Sequence, residues 1–241
     1  MSKSSRRDFQ WVAAADAPTR WQRRFWVTSL SLVERLLLNS VVTGLERLPE
    51  QGPVIVYYNH THYLDPFTLS TRFWRRRYFV PVAKVELEDT FFVGPALRAN
   101  GTIFINRGEA DLPALRGMLA VLKAGYVLVI APEGTRSPTA TLIEAEKGLG
   151  LLVYRTNPVL MPVGIWGAQS FPSAYKRLRR PKIYHHFGAP FRFNLPPKMS
   201  RKEAETVVTD YAMRRLAQCL PPEMRGVYAD PPPELPFVEE I

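Results

Sequence analysis

Residues 102–131 read TIFINRGEADLPALRGMLAVLKAGYVLVIA, and this stretch decides the fold class. It opens on the apolar run Thr102–Ile105, too short for a helix. Leu112, Leu115, Met118, Leu119 and Leu122 then recur at spacings of three and four, which is one face of a helix. Gly125 follows, where a helix C-cap favours glycine, and a second apolar run, Tyr126–Ala131, closes the stretch. Strands that alternate with helices imply a largely parallel sheet with helices on its faces.

Working outward, Val54–Tyr58, Tyr78–Ala83, Val159–Gly164 and Lys182–Phe187 read as further strands, and Pro196-Pro197 introduces a last helix over about 200–219. An α/β domain with a largely parallel central sheet flanked by helices is therefore expected over residues 40–220. Before it, residues 20–39 (RWQRRFWVTSLSLVERLLLN) carry Trp21, Phe25, Trp26, Leu30, Val33 and Leu37 at helical spacing, with Arg20, Arg23, Arg24 and Arg35 among them. Aromatic rings beside arginines suit a helix lying in a membrane head-group layer, so residues 1–39 are expected to be an amphipathic, membrane-associating segment. A helix packed on the domain's own core is the alternative. Residues 221–241 hold six prolines and are expected to form an extended tail without a core of its own.

Hydrophobic residues make up 46% of the chain and charged residues 22%, which excludes disorder for most of it. The 32 Lys and Arg against 22 Asp and Glu give a net charge of +10, which favours nucleic acid, anionic lipid or phosphorylated substrates as partners. No aromatic-basic RNA motif or helix-turn-helix appears, so nucleic acid is not expected. Clusters at Arg75-Arg76-Arg77 and over Lys176–Lys182 suit an anionic bilayer. The single cysteine, Cys219, excludes an intrachain disulfide and reads as a core residue rather than a nucleophile. The first ten residues are polar and Asp16 and Pro18 cut the next apolar stretch, so no secretory signal is expected, and no run of 18 or more apolar residues occurs. Peripheral or monotopic attachment on the cytoplasmic side of the cell membrane is the expectation.

Three motifs follow strands. Asn59-His60-Thr61-His62-Tyr63-Leu64-Asp65-Pro66 comes directly after Val54–Tyr58. On a regular helix His60 and Asp65 would point about 140° apart, but a turn between them can bring the carboxylate to one imidazole nitrogen. Such a histidine is a general base near neutral pH; taken singly, the pair also reads as a structural cap. His60, His62 and Asp65 also suggest zinc ligands, but the remaining histidines are the adjacent His185 and His186 and no second cluster completes a site, so no metal is expected. The second motif, Gly101–Arg107, is a strand with a cation just past its end, suited to phosphate. The third, Ala131-Pro132-Glu133-Gly134-Thr135-Arg136-Ser137, gathers a carboxylate, a glycine, a hydroxyl and a guanidinium; it can hold a phosphate, or be a turn with a local salt bridge.

His-x4-Asp, G-x-I-F-I-x-R, P-E-G-T-R-S and an apolar strand ending Pro162-Val163, in this order, resemble the glycerolipid acyltransferase family, the PlsC-like 1-acyl-glycerol-3-phosphate acyltransferases and their relatives. The resemblance covers roughly residues 40–190. It implies His60 as base and Asp65 as its partner, with no metal or cofactor. It further implies Arg107, Glu133, Gly134, Thr135 and Arg136 around the acceptor phosphate and Pro162 near the acyl donor. The implied reaction moves an acyl group from acyl-CoA or acyl-carrier protein to a hydroxyl of 1-acyl-glycerol 3-phosphate in phospholipid synthesis. Glycerol 3-phosphate or another lysophospholipid is the alternative acceptor, and a non-catalytic basic lipid-binding protein the alternative role. The chain departs from the family at His62, where serine is frequent, and at Asn106, where aspartate is frequent.

Overall fold

The computed structural model describes residues 20–73, 76–106, 111–177 and 179–241. The helices are α1 (Arg20–Leu37), α2 (Asp65–Phe73), α3 (Val93–Ala99), α4 (Leu112–Lys123), α5 (Gly148–Thr156), α6 (Phe171–Lys176) and α7 (Arg201–Gln218). The strands are β1 (Asn39–Thr43), β2 (Val54–Tyr58), β3 (Phe79–Lys84), β4 (Ile103–Ile105), β5 (Val127–Ile130), β6 (Val159–Trp166), β7 (Lys182–Phe187), β8 (Phe191–Phe193) and β9 (Val238–Glu240).

They form one sheet among the described residues, in the order β1-β7-β6-β2-β5-β3-β4, with β8 beside β6 and β9 beside β8. The pairs β2–β5, β2–β6, β3–β5, β3–β4 and β1–β7 are parallel, as the alternation of strands and helices requires. The β6–β7, β6–β8 and β8–β9 pairs are antiparallel. β6 runs two residues past the expected Gly164. Three strands escaped the sequence reading, because NSVVT is a short edge strand with alternating exposure and β8 and β9 sit among prolines.

Both faces of the central strands are covered, which is why VIVYY, VLVI and VLMPVGIW are nearly continuous apolar runs. Ile55, Tyr57, Leu128 and Leu160 point to a layer built by α4, α5 and α7. Val54, Val56, Tyr58, Met161 and Val163 point to the other, with Leu69 and Phe73 of α2. Side chains buried this fully contribute about 1.5–3 kcal/mol each. Caps fix the helix ends. Asp111 accepts the Ala114 N–H at 3.0 Å before α4, and Ser200 accepts the Glu203 N–H at 3.2 Å before α7.

The N-terminal helix is present, and its inner side is polar as well as apolar. Buried Glu34 of α1 accepts the Thr71 hydroxyl at 2.5 Å and pairs with Arg72, so α1 is clamped to α2. Its outer side leaves Trp21, Phe25, Leu32, Val33, Leu36 and Leu37 exposed. Among the described residues, no helix is long and apolar enough to cross a membrane.

The segment after Leu220, expected as an extended tail, lies against the domain. Its turns at Pro222–Met224 and Gly226–Tyr228 meet the loop after the third motif: Leu142 N–H donates to the Met224 carbonyl at 2.9 Å, and Ala145 N–H donates to the Tyr228 hydroxyl at 3.1 Å. Gly226 has φ +50°, and a Cβ there would lie 2.0 Å from the Leu142 carbonyl oxygen, so only glycine allows this approach. β9 then completes the sheet beside β8. Prolines limited the sequence reading to composition, whereas Tyr228, Phe237 and Val238 find the domain core.

Candidate active site

β2, β5, β3 and β4 run parallel, so their C-terminal ends share one edge of the sheet. Tyr57 is level with Ile130, and Lys84 with Ile105. The first motif leaves β2, the third leaves β5 and the second leaves β4, so all three emerge on the edge where open α/β sheets bind ligands. The β2 and β4 ends lie three strand spacings apart, about 14 Å.

Asn59 sets the turn. Its side chain, nearly inaccessible, donates to the Ile165 carbonyl at 2.8 Å and accepts the Ile165 N–H at 2.7 Å. It thereby extends the β2–β6 pairing by one rung through a side chain and stops the strand just before His60. The chain then curls around the Asp65 carboxylate. Its Oδ2 accepts the Thr61 N–H at 2.8 Å and the His62 N–H at 2.6 Å, and meets His60 Nδ1 at 3.3 Å. Asp65 opens α2 and is 0% exposed, while the His60 side chain is 13% exposed. One imidazole nitrogen therefore faces a buried carboxylate, which leaves Nε2 for a reacting hydroxyl.

The third motif brackets His60. Glu133 Oε1 accepts the His60 backbone N–H at 2.7 Å, and Ser137 N–H donates to the His60 carbonyl at 2.8 Å. Glu133 Oε2 accepts the Ile143 N–H at 3.2 Å. Burial pushes the Glu133 carboxyl up to about 7, against the two backbone donors that favour its charged form. Glu133 was read from the sequence among the phosphate contacts, yet it is 3% exposed and both its oxygens serve backbone N–H groups. It joins the two motifs; its contacts are with the backbone N–H groups of His60 and Ile143. Ser137 shares that task, and sequence reading had given it none, because a backbone donor leaves no trace in residue type.

Gly134 has φ +65°, and a Cβ there would meet Glu146 Cγ at 2.9 Å, so glycine is needed for the turn. Thr135 and Arg136 stand exposed beyond it. Arg107 lies outside the described residues, as does Arg75 of the first basic cluster. Pro162 sits in mid-β6, level with Tyr57, and packs beside Gly188 and Cys219. By strand alternation it shares the face of Leu160, under α7. It is a buried position, one residue short of the level at which β2 ends. Cys219 is buried, and burial pushes its thiol up to about 12, the behaviour of a core thiol. His185 is buried too, with Nε2 2.9 Å from the Thr68 hydroxyl.

Two cationic and apolar features seen separately in the sequence meet in space. Arg180 Nη1 donates to the Arg35 carbonyl at 2.7 Å, and Asn39 N–H donates to the Pro181 carbonyl at 2.9 Å. The basic Lys176–Lys182 segment thus adjoins the end of the amphipathic helix.

Relatives fit this architecture. A 1-acyl-sn-glycerol-3-phosphate acyltransferase of Borreliella burgdorferi is 31% identical over 133 residues, covering 54% of this chain and 52% of its own length. A probable enzyme of the same name from Mycoplasma pneumoniae is 27% identical over 163 residues, covering 65% of this chain and 60% of its own length. A lyso-ornithine lipid O-acyltransferase of Rhodobacter capsulatus is 40% identical over 109 residues, covering 45% of this chain and 35% of its own length. The chain thus matches only about half to three-fifths of the length of the first two. The crystal structure of the 1-acyl-sn-glycerophosphate acyltransferase PlsC from Thermotoga maritima superposes with a TM-score of 0.58 at 24% identity, covering 79% of this chain and 78% of that one, a likeness of fold. Residues 39–166, from β1 to the end of β6 and including the first and third motifs, match the family model described as Acyltransferase. The chain belongs to the acyltransferase family.

Proposed function

We propose that this protein transfers a fatty acyl group from a thioester, acyl-CoA or acyl-carrier protein, to the free hydroxyl of 1-acyl-glycerol 3-phosphate at a membrane surface. The observation that carries the reading is the His60–Asp65 contact of 3.3 Å, set on the same sheet edge as the third motif and bracketed by it. His60 Nε2 takes the proton of the acceptor hydroxyl while that oxygen attacks the thioester carbonyl. The carbonyl pair moves onto its oxygen, then returns as the C–S bond breaks, and the leaving thiolate takes the proton from His60. Ester and free thiol are the products. A thioester is activated enough that no covalent acyl-enzyme is needed.

The exposed Thr135 and Arg136, presented by the Gly134 turn, are suited to the acceptor phosphate. Arg107 is assigned to the same phosphate from the family resemblance. Glu133 acts through His60 as a positioning residue. The exposed apolar side of α1 and the adjoining Lys176–Lys182 segment support attachment to an anionic bilayer, where the acceptor resides.

His60→Ala, with its fold checked by circular dichroism, is expected to lose acyl transfer to lysophosphatidic acid by about 10²–10⁴-fold. Near-normal turnover would refute the base. Arg107→Ala is expected to raise the acceptor KM more than it lowers kcat; an unchanged acceptor KM with weakened acyl-CoA binding would move that arginine to the other substrate. The 40% identity to the lyso-ornithine lipid O-acyltransferase supports a second acceptor. Lyso-ornithine lipid and lysophosphatidic acid compared against one acyl-CoA decide between them.

A further inference from the structure

The turn that carries His60 holds a second imidazole, and its geometry gives it a definite chemical state. His62 is two residues from the base, and its backbone N–H is bound at 2.6 Å by the same Asp65 oxygen that meets His60. The Leu64 N–H donates to His62 Nδ1 at 3.3 Å. A nitrogen that accepts a hydrogen bond carries no proton, so in the neutral ring the proton is on Nε2. Ring orientation is fixed as well. The imidazole lies against Tyr63 with centroids 4.1 Å apart, and Phe171 stands at 6.1 Å. Burial, then the positive charge of Arg136 and the neighbouring His60, disfavour the imidazolium and outweigh the pull of Asp65. Among the described residues nothing occupies Nε2. The ring packs through its faces and is held through Nδ1, so the Nε2–H, two residues from His60, is the part of this side chain that the fold itself does not use.

We propose that His62 Nε2–H donates a hydrogen bond to the thioester carbonyl oxygen as it becomes negative during acyl transfer, an assignment that rests on the acyl-transfer reading above. As the acceptor oxygen attacks, the carbonyl π pair moves to that oxygen, and the fixed donor stabilises the charge. The His62 proton is not transferred. When the oxyanion collapses, the C=O bond reforms, the C–S bond breaks, and the thiolate takes its proton from His60. A neutral imidazole is suited to this role because it offers a strong donor without giving up its proton to the intermediate. His62 is thus a catalytic residue of this chain at a position where the family frequently has serine.

The ring also packs against Tyr63, so the test must separate donor from packing. His62→Phe keeps the ring and removes the donor, whereas His62→Gln removes the ring and keeps an amide donor. With acyl-CoA and lysophosphatidic acid, H62F is expected to lose about 10²-fold in kcat with the acceptor KM within about twofold of the parent, and H62Q to recover at least about tenfold of that loss. Full activity of H62F, an equal loss in H62Q, or a raised acceptor KM at unchanged kcat would each overturn the assignment. Should H62F not fold, H62Q against His62→Leu carries the same comparison, with the glutamine variant expected to be about tenfold faster and equality overturning the role. An active parent with an unimpaired H62F overturns this inference alone. A parent that releases no thiol from acyl-CoA with any acceptor overturns the acyl-transfer reading and this role with it.

Discussion

Glu133 shows how much one side chain does at this site. Its two oxygens hold the backbone of His60 and of Ile143, which are seventy-three and ten residues away in the chain. Glu133→Gln keeps one acceptor and turns an amide N–H toward a backbone N–H, so one buried donor goes unpaired, at about 1–3 kcal/mol. The variant is expected to lose about 10–100-fold in acyl transfer, since that energy is spent on the placement of the base. The carboxyl is also raised from its ordinary 4.5 to about 7 by burial. A raised carboxyl binds its proton more tightly in the folded state, so its stabilisation is complete below about 4.5 and is lost as pH rises through about 7. Denaturant midpoints measured across that window should fall with pH more steeply in the parent than in E133Q. Equal slopes would show that Glu133 titrates as an exposed carboxyl does. None of this is legible in P-E-G-T-R-S, where a carboxylate could equally orient a substrate hydroxyl or a neighbouring arginine.

At the level of elements, the tail after Leu220 was misjudged for a physical reason. Prolines forbid most ladder hydrogen bonds, so composition reads the stretch as unpacked. Yet Tyr228, Phe237 and Val238 reach the core, and Arg215 of α7 pairs with Glu240 of β9. The same tail holds Leu142 and Ala145 on either side of Ile143, the residue whose N–H feeds Glu133. Deleting residues 221–241 is expected to cost more than about 2 kcal/mol, read from the urea midpoint, and to lower acyl transfer as well. Unchanged stability and turnover would mean these contacts are idle. Helix α1 has the opposite history. Its spacing of Trp21, Phe25 and Leu37 announced an amphipathic helix, but the polar clamp of Glu34 to Thr71 and Arg72 of α2 is a contact between distant segments.

For the whole molecule the charge of +10 becomes useful through placement. The Lys176–Lys182 segment is hydrogen-bonded to the C-terminal end of α1, so cations and exposed apolar side chains adjoin. Co-sedimentation with anionic vesicles but not neutral ones, weakened by high salt, is expected from this arrangement. Trp21→Glu combined with Phe25→Glu should reduce that binding at least about tenfold while leaving the urea midpoint unchanged, because both side chains are exposed. Binding to vesicles that ignores both salt and these substitutions would remove α1 from the membrane contact.

Periodicity and strand-end motifs, read along the chain, were enough for the α/β class, the parallel pairing and the family resemblance, because those properties are local: alternation, caps and the spacing of residues within a motif. What lay beyond it were pairings between remote segments. That Glu133 and Ser137 hold the peptide of His60, that Pro162 packs under α7, and that the proline-rich tail finishes the sheet all depend on which backbone groups meet in three dimensions. Backbone donors carry no residue signature, so only the folded chain could show them.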